Sequence, residues 1–298
     1  TLPEADCMFH GDNFDEFIKV SKKKTRGIVS CSLANISAIP HPRYCNLTKH
    51  TTATVPIFFS KGCTKTCKFC ADKITYCRRP EEEIVKEILY IVKRFKVNRF
   101  YVCDLIINND IGYLASLAQK LASLPVKLRF TGSATMDKRM DFGFFRLLRK
   151  AGFHELCFGV ESLSDNVLHL MGKDYSAADA MANIKDAKMA GLSTQVNFMV
   201  GFPGEHDEDI GITIEKLEDC NSYIDNVSNL NICSLEPGAP ILAGDLTGFY
   251  DTKKEMEWTF DGNTLEERQK RRERLMAACE KNNLTPSWTQ NIMPKESI

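Results

Sequence analysis

The chain has 298 residues and carries 39 Lys and Arg against 39 Asp and Glu, a formal net charge of zero that argues against a protein built mainly to hold nucleic acid. Its 43% hydrophobic and 26% charged residues make a globular mix rather than a disordered one. No apolar run approaches the roughly 18 residues of a membrane span, and the acidic start TLPEADCMFHGDNFDEF is unlike a secretory signal.

Residues 1–53 read as irregular, with a linker-like AIPHPRY at 38–44. Regular alternation begins at Thr54. TVPIFFS (54–60) is a short apolar strand, and EEEIVKEILYIVKRF (81–95) repeats Ile84, Ile88, Ile91, Val92 and Phe95 at the spacing of a buried helix face. Pro80 and three acids give that helix its start. The cycle recurs as strand 99–107 and helix 111–124, strand 126–134 and helix 142–152, then strand 155–162 and helix 177–191. Strand 193–202, helix 207–220 and strand 227–235 complete it. Helices that end on glycine and near-continuous apolar strands predict parallel βα units under a layer of helices. The alternation is lost over 246–298, where LEERQKRRERLMAACEKNN (265–283) reads as one charged helix. Its basic cluster at 268–274 is expected to be a solvated face.

Of the 12 cysteines, nine are scattered, as in small buried hydrophobes of a protein kept in a reducing, cytoplasmic compartment. Three crowd into FFSKGCTKTCKFC: Cys63, Cys67 and Cys70, directly after the first strand. Thiolates suit zinc or iron–sulfur centres. A structural zinc site takes four protein ligands, and no fourth lies close in sequence. A 4Fe–4S cluster on three thiolates keeps one iron open. Loops that follow the strands of a parallel barrel form its active face. A zinc loop completed by a distant residue stays the alternative, in which case the chain is a non-catalytic scaffold.

The Cys-x3-Cys-x-Phe-Cys run, with Phe69 before the last cysteine, resembles the radical S-adenosylmethionine enzymes. The resemblance covers about residues 54–245 and implies a partial (β/α)6 TIM-type barrel, flanked by the N-terminal segment at 1–53 and a helical C-terminal extension at 246–298. It implies a 4Fe–4S cluster on Cys63, Cys67 and Cys70, with S-adenosylmethionine chelating the open iron. Reductive cleavage then gives a 5′-deoxyadenosyl radical that abstracts hydrogen from substrate. GVES (159–162) is similar to the family's ribose motif, which marks Glu161. In LMGK (170–173), Lys173 matches a residue that neutralises the methionyl carboxylate. NFMVGFPGE (197–205) matches the adenine-backing strand through Asn197, Met199 and Gly201, the glycine allowing close approach of ligand. By position, Asp104 would meet the methionyl ammonium and Ser133 the carboxylate.

Residues 1–53 are too short for the N-terminal domain of the methylthiotransferases. GVESLSDNVLHLMGK, NFMVGFPGE and AIPHPRY resemble the cobalamin-binding branch more closely. EADCMFHGDNFDEFIKV (4–20) is similar to the last strand and helix of that branch's cobalamin domain. Cobalamin is therefore expected only with an upstream domain, and methyl transfer with it. The resemblance also implies an electron donor such as flavodoxin or ferredoxin and a small-molecule or peptide substrate, with no membrane or nucleic-acid partner.

Overall fold

The computed structural model describes residues 7–10, 14–23, 26–30, 42, 44, 54–72, 74–244, 247–250, 255–284 and 286. The first described segment is a βαβ unit, not an irregular stretch: β1 (Cys7–His10), α1 (Phe14–Lys22) and β2 (Gly27–Ser30), with the strands paired in parallel. Most of the linker at 38–44 lies outside the described residues.

The body is an α/β partial barrel. Its strands are β3 (Val55–Ile57), β6 (Arg99–Val102), β7 (Arg129–Ala134), β8 (Phe153–Glu161), β9 (Ser193–Val200) and β10 (Asn226–Ile232). They form one sheet in the order β10-β9-β8-β7-β6-β3, and every pairing is parallel. A short antiparallel pair, β4 (Ser60–Lys61) and β5 (Cys77–Arg78), brackets the cysteine loop. The crossovers run through α2 (Glu81–Phe95), α3 (Ile111–Ala122), α4 (Phe142–Ala151), α5 (Asp165–Met171) with α6 (Ala177–Met189), and α7 (Asp207–Cys220).

Burial alternates along the strands, so one face packs under the helices and the other lines the concave side. Phe59, Phe100, Phe130 and Phe153 are all buried, and Phe130 lies within 5.2–5.8 Å of the other three ring centroids. The concave face is less apolar than a filled barrel interior, with Thr131, Ser133, Cys157, Gln195 and Asn197 only partly buried. Strand β6 stops at Val102, short of the predicted 107: its ladder to β3 ends with Cys103 N–H donating to Ile57 O at 2.8 Å, and the chain then bends at Asp104–Leu105.

After β10 the chain forms a hairpin, β11 (Phe249–Tyr250) with β12 (Thr259–Phe260), and then α8 (Leu265–Lys281). The basic stretch on α8 is a solvated face only in part: Lys270 and Arg274 are exposed, but two of its arginines turn inward. Arg268 is fully buried and Arg271 nearly so. Among the described residues no helix is long and apolar enough to cross a membrane.

Candidate functional site

The cysteine loop leaves β4 through Gly62, whose φ is +80°. A Cβ there would collide with the Ile74 and Thr75 carbonyls, so only glycine lets the loop close onto its return strand. Asn109, beyond the end of β6, clamps the loop from outside. It accepts from Thr64 N–H at 2.9 Å and donates to Gly62 O at 3.2 Å. Lys68 N–H donates to Met171 O at 2.9 Å and Lys68 O accepts from Ile241 N–H at 2.9 Å, which tie the loop to α5 and to the turn after β10.

Cys63, Cys67 and Cys70 carry no disulfide and are all half-buried. Burial pushes the Cys67 and Cys70 thiols up, and Lys173 acts in the opposite direction on Cys67. Among the described residues, no three Cys, His, Asp or Glu side chains converge tightly enough to ligate a single ion. The donor chemistry nonetheless fits a soft cluster: three thiols on one anchored loop at the strand ends, with a cation beside them.

That cation is Lys173, whose ammonium stands 3.5 Å from Glu161 Oε1 and lies over the rings of Phe69 at 5.2 Å and Tyr175 at 5.7 Å. Burial opposes its charge, but Glu161, Tyr175 and Cys67 outweigh burial and hold the ammonium above its ordinary range. Tyr175 O–H donates to Gly159 O and Val160 O at 3.0 and 3.1 Å, fixing the end of β8. The β8–β9 register slips between Gly159 and Glu161, and Glu161 adopts φ +64°. A carboxylate residue held in left-handed backbone at a strand end is strain of the kind that functional sites store.

Asp104 lies deep at the mouth, but both its oxygens are engaged. Phe59 N–H donates to Oδ1 at 2.8 Å and Ser60 O–H to Oδ2 at 2.5 Å. It therefore fastens the start of the cysteine loop, and burial pushes its pKa up to about 6. Ser133 sits on the next strand, in register with Cys157. Asn197 accepts from Asn229 Nδ2 at 3.0 Å and from the Cys157 thiol at 3.5 Å. Met199, Phe69 and Cys70 line a cavity of about 390 Å³ with Asn231, Ser234 and Glu236. Asn231 Oδ1 is buried there with no hydrogen-bond partner among the described residues.

Gly201, at φ +83°, serves a purpose that sequence reasoning did not assign. The space its Cβ would take is filled by the Arg268 side chain, not left for a ligand. The sequence reading also names neither Trp258 nor Asn263, and it places Arg268 and Arg271 on a solvated face. A signal existed: 268, 271, 275, 278 and 279 follow the three-four spacing of a buried helix stripe, and all five residues are buried.

Residues 57–217, more than half of the chain, match the Radical SAM superfamily. An uncharacterized methyltransferase of Pyrococcus horikoshii is 22% identical over 69% of this chain and 46% of its own length. The tRNA-2-methylthio-N(6)-dimethylallyladenosine synthase of Bordetella pertussis is 26% identical over 76% of this chain and 53% of its own. The chain thus spans about half the length of these curated relatives. Among solved structures, the cobalamin-dependent S-adenosylmethionine radical enzyme OxsB superposes with a TM-score of 0.64 at 15% identity, over 78% of this chain and 43% of that one. TsrM, a radical S-adenosylmethionine methyltransferase from Kitasatospora setae, gives 0.56 at 18% identity, over 63% and 38%. At these identities the likeness is one of fold. With a parallel six-stranded partial barrel, a three-cysteine loop after its first strand and the family match over 57–217, the chain belongs to the radical SAM superfamily.

Proposed function

We propose that this chain is the radical core of a larger enzyme, with Cys63, Cys67 and Cys70 holding a 4Fe–4S cluster and S-adenosylmethionine bound beside it. The chemistry the cluster supplies when bound is one-electron reductive cleavage of S-adenosylmethionine, giving the radical that abstracts hydrogen from substrate. The observation that carries the proposal is the Lys173–Glu161 pair, held 3.5 Å apart beside the thiol loop. A buried cation and anion so placed form a template for a zwitterion, since the methionyl end of S-adenosylmethionine offers a carboxylate and an ammonium. Lys173 takes the carboxylate, and Glu161 accepts from the ammonium or the ribose hydroxyls. Phe69, Met199 and Ile232 give the adenine an apolar wall, and Asn231 brings a buried amide oxygen to it. Asp104 and Ser133 bound the methionyl end, Asp104 chiefly by keeping the loop in place. Asn197 and Gly201 shape the β9 edge of the site.

We extend the proposal to methyl transfer, with cobalamin carried by a preceding domain. The methyltransferases among the relatives support it, as does the parallel βαβ unit at 7–30, a fitting end for a doubly wound domain. A flavodoxin or ferredoxin would deliver the electron. The polar concave face suits a small-molecule or peptide substrate that hydrogen-bonds.

Anaerobic reconstitution with iron and sulfide, followed by dithionite and S-adenosylmethionine, tests the core of the proposal. The expected result is a brown protein with about four irons per chain that releases 5′-deoxyadenosine. A colourless protein that holds one zinc overturns it in favour of the metal-scaffold alternative.

A further inference from the structure

We infer that the C-terminal segment 256–271 holds the walls of the S-adenosylmethionine site in place, and that Arg268 is its positioning residue. The inference rests on the proposed function and adds to it a residue from beyond the family match.

Arg268 is buried in full, and no carboxylate pairs with it among the described residues. Its Nη1 donates to Asn263 O at 2.7 Å, and its Nη2 donates to Met256 O at 2.7 Å and to Trp258 O at 3.0 Å. Nε has no acceptor among the described residues. The guanidinium lies 3.7 Å over the Trp258 ring. If the position served only to fill volume, an apolar side chain would do so without the desolvation of a charge. What the guanidinium provides is direction: a planar fork that holds three carbonyls and one ring in a single arrangement.

That arrangement leads to the site by three routes. The Arg268 methylenes occupy the place of the absent Gly201 Cβ, at the point where β9 ends. Asn263, whose carbonyl Arg268 holds, donates from Nδ2 to Gly201 O and Phe202 O, both at 3.1 Å. One turn along α8, Arg271 donates to Glu205 O at 2.8 Å and to Asn263 Oδ1 at 3.1 Å, and pairs with Asp207 at 2.7 Å. The backbone of the Gly201–Glu205 turn is thus gripped from the C-terminal side at both ends. Trp258 shares a buried cluster with Phe202, Met171 and Cys233, against which Phe69 and Met199 pack. Phe202 meets Phe69 edge-on at 6.5 Å, one residue before Cys70. Both the β9 wall of the cavity and the aromatic of the cysteine loop therefore rest on the group that Arg268 organises.

The test compares wild-type chain with Arg268→Met, Arg268→Lys and Trp258→Phe after anaerobic reconstitution. Four quantities are read: iron per chain, melting midpoint, S-adenosylmethionine affinity by calorimetry, and the change S-adenosylmethionine makes in the electron paramagnetic resonance spectrum of the reduced cluster. The expected result is wild-type iron content with affinity lowered roughly tenfold to a hundredfold in Arg268→Met, the loss for one misaligned charge-assisted hydrogen bond to the ligand. The spectral change should weaken in parallel. Arg268→Lys should fall between, because an ammonium keeps the charge but cannot span three carbonyls and a ring. If Arg268→Met does not fold, Arg268→Lys and Trp258→Phe decide on the same readouts. Folded variants with a lower melting midpoint but wild-type affinity and spectrum overturn the inference and leave Arg268 a stabilising residue only. A wild-type chain that takes up no cluster instead overturns the proposed function, and is told apart because there is then no affinity for a variant to lose.

Discussion

The cysteine loop, which borders the cavity, and the turn that follows its Met199 wall at the end of β9 are held in opposite ways. The loop is fixed almost wholly through its backbone, by Asn109, Met171 and Ile241, and its three thiols stay half-buried with room about them. The Gly201–Glu205 turn is fixed by buried side chains. Asn263 grips it from the turn before α8, Arg268 and Arg271 press on it from α8 itself, and Glu205 folds back to accept from Gly201 N–H. Burial pushes the Glu205 carboxyl up to about 8 even so. The difference follows from what each must do. A loop that receives a multi-atom cluster needs a fixed path and free side chains. A wall against which a ligand is aligned needs side chains that cannot move.

The sharpest way to break the comparison is to remove the thiols. Serine at Cys63, Cys67 or Cys70 should abolish iron uptake while leaving the melting midpoint of the unreconstituted chain within a few degrees of wild type, because the loop is held mainly from outside and a serine hydroxyl at Cys63 can still accept from Lys65 N–H. Iron quantification across serine variants of all 12 cysteines checks this. Iron retained by the Cys67 variant, with loss at Cys77 or Cys31, overturns the assignment.

The opposite wall should show the reverse. Trp258 is fully buried, and its Nε1–H donates to Cys233 O at 3.3 Å. Trp258→Ala should destabilise the chain by roughly 3–5 kcal/mol, the usual loss for an aromatic cavity. Urea unfolding measures it, and a loss below about 1 kcal/mol would mean that this wall is no more rigid than the loop.

Asp104 joins the two ways of holding, since it is a buried side chain that anchors the start of the cysteine loop. Its pKa rises from 3.8 to about 6 on folding, chiefly through burial. The folded chain therefore binds the proton more tightly than the unfolded one. This contribution to stability is fully present below pH 3.8 and is lost as the pH rises through about 6. The difference amounts to about 3 kcal/mol. Asp104→Asn should remove that part of the pH dependence, seen as a flatter plot of unfolding free energy between roughly pH 4 and 6.5. Parallel plots for variant and wild type would show that Asp104 is ionised throughout.

Most of the barrel could be read from its residues because the pattern and the physics coincide there. Helices α2 and α7 match their predicted spans, having acids in the first turn and an apolar stripe behind. Strand ends were harder. Nothing in RFYVCDLII says that the chain bends at Asp104–Leu105 and that Asp104 reaches Phe59 and Ser60, a contact 45 residues distant in sequence. The charged pieces of the site were half legible. Glu161 and Lys173 stood out by motif, but their mutual pairing is a product of the bulge at Gly159–Glu161. Arg268 was misread because charge density outweighed spacing in a helix of mean hydropathy well on the polar side. A buried arginine has the same letters as a solvated one, and only its ring partner Trp258 and the vacancy at Gly201 tell them apart.

The smallest expected effect lies between the loop and the wall, at Glu161. Its carboxylate faces Lys173, and its backbone sits at φ +64° after a slipped register. Replacing it with glutamine keeps the side-chain length and an acceptor oxygen but removes the charge. The iron content should stay at the wild-type level, because no thiol depends on Glu161 for its place. The affinity for S-adenosylmethionine should fall by about 1.5–3 kcal/mol, roughly tenfold to a hundredfold, the range for losing one charge-assisted hydrogen bond. Lys173→Met should weaken binding to a similar degree, since it strips the counter-charge from the ligand's carboxylate. The two losses should not add. Once either charge is gone, its former partner is a buried ion without a counter-charge, so the double variant should lose less than the sum of the singles. A double-mutant cycle by anaerobic calorimetry measures that coupling. Strict additivity would mean that the two side chains act independently and that each charge meets the ligand alone.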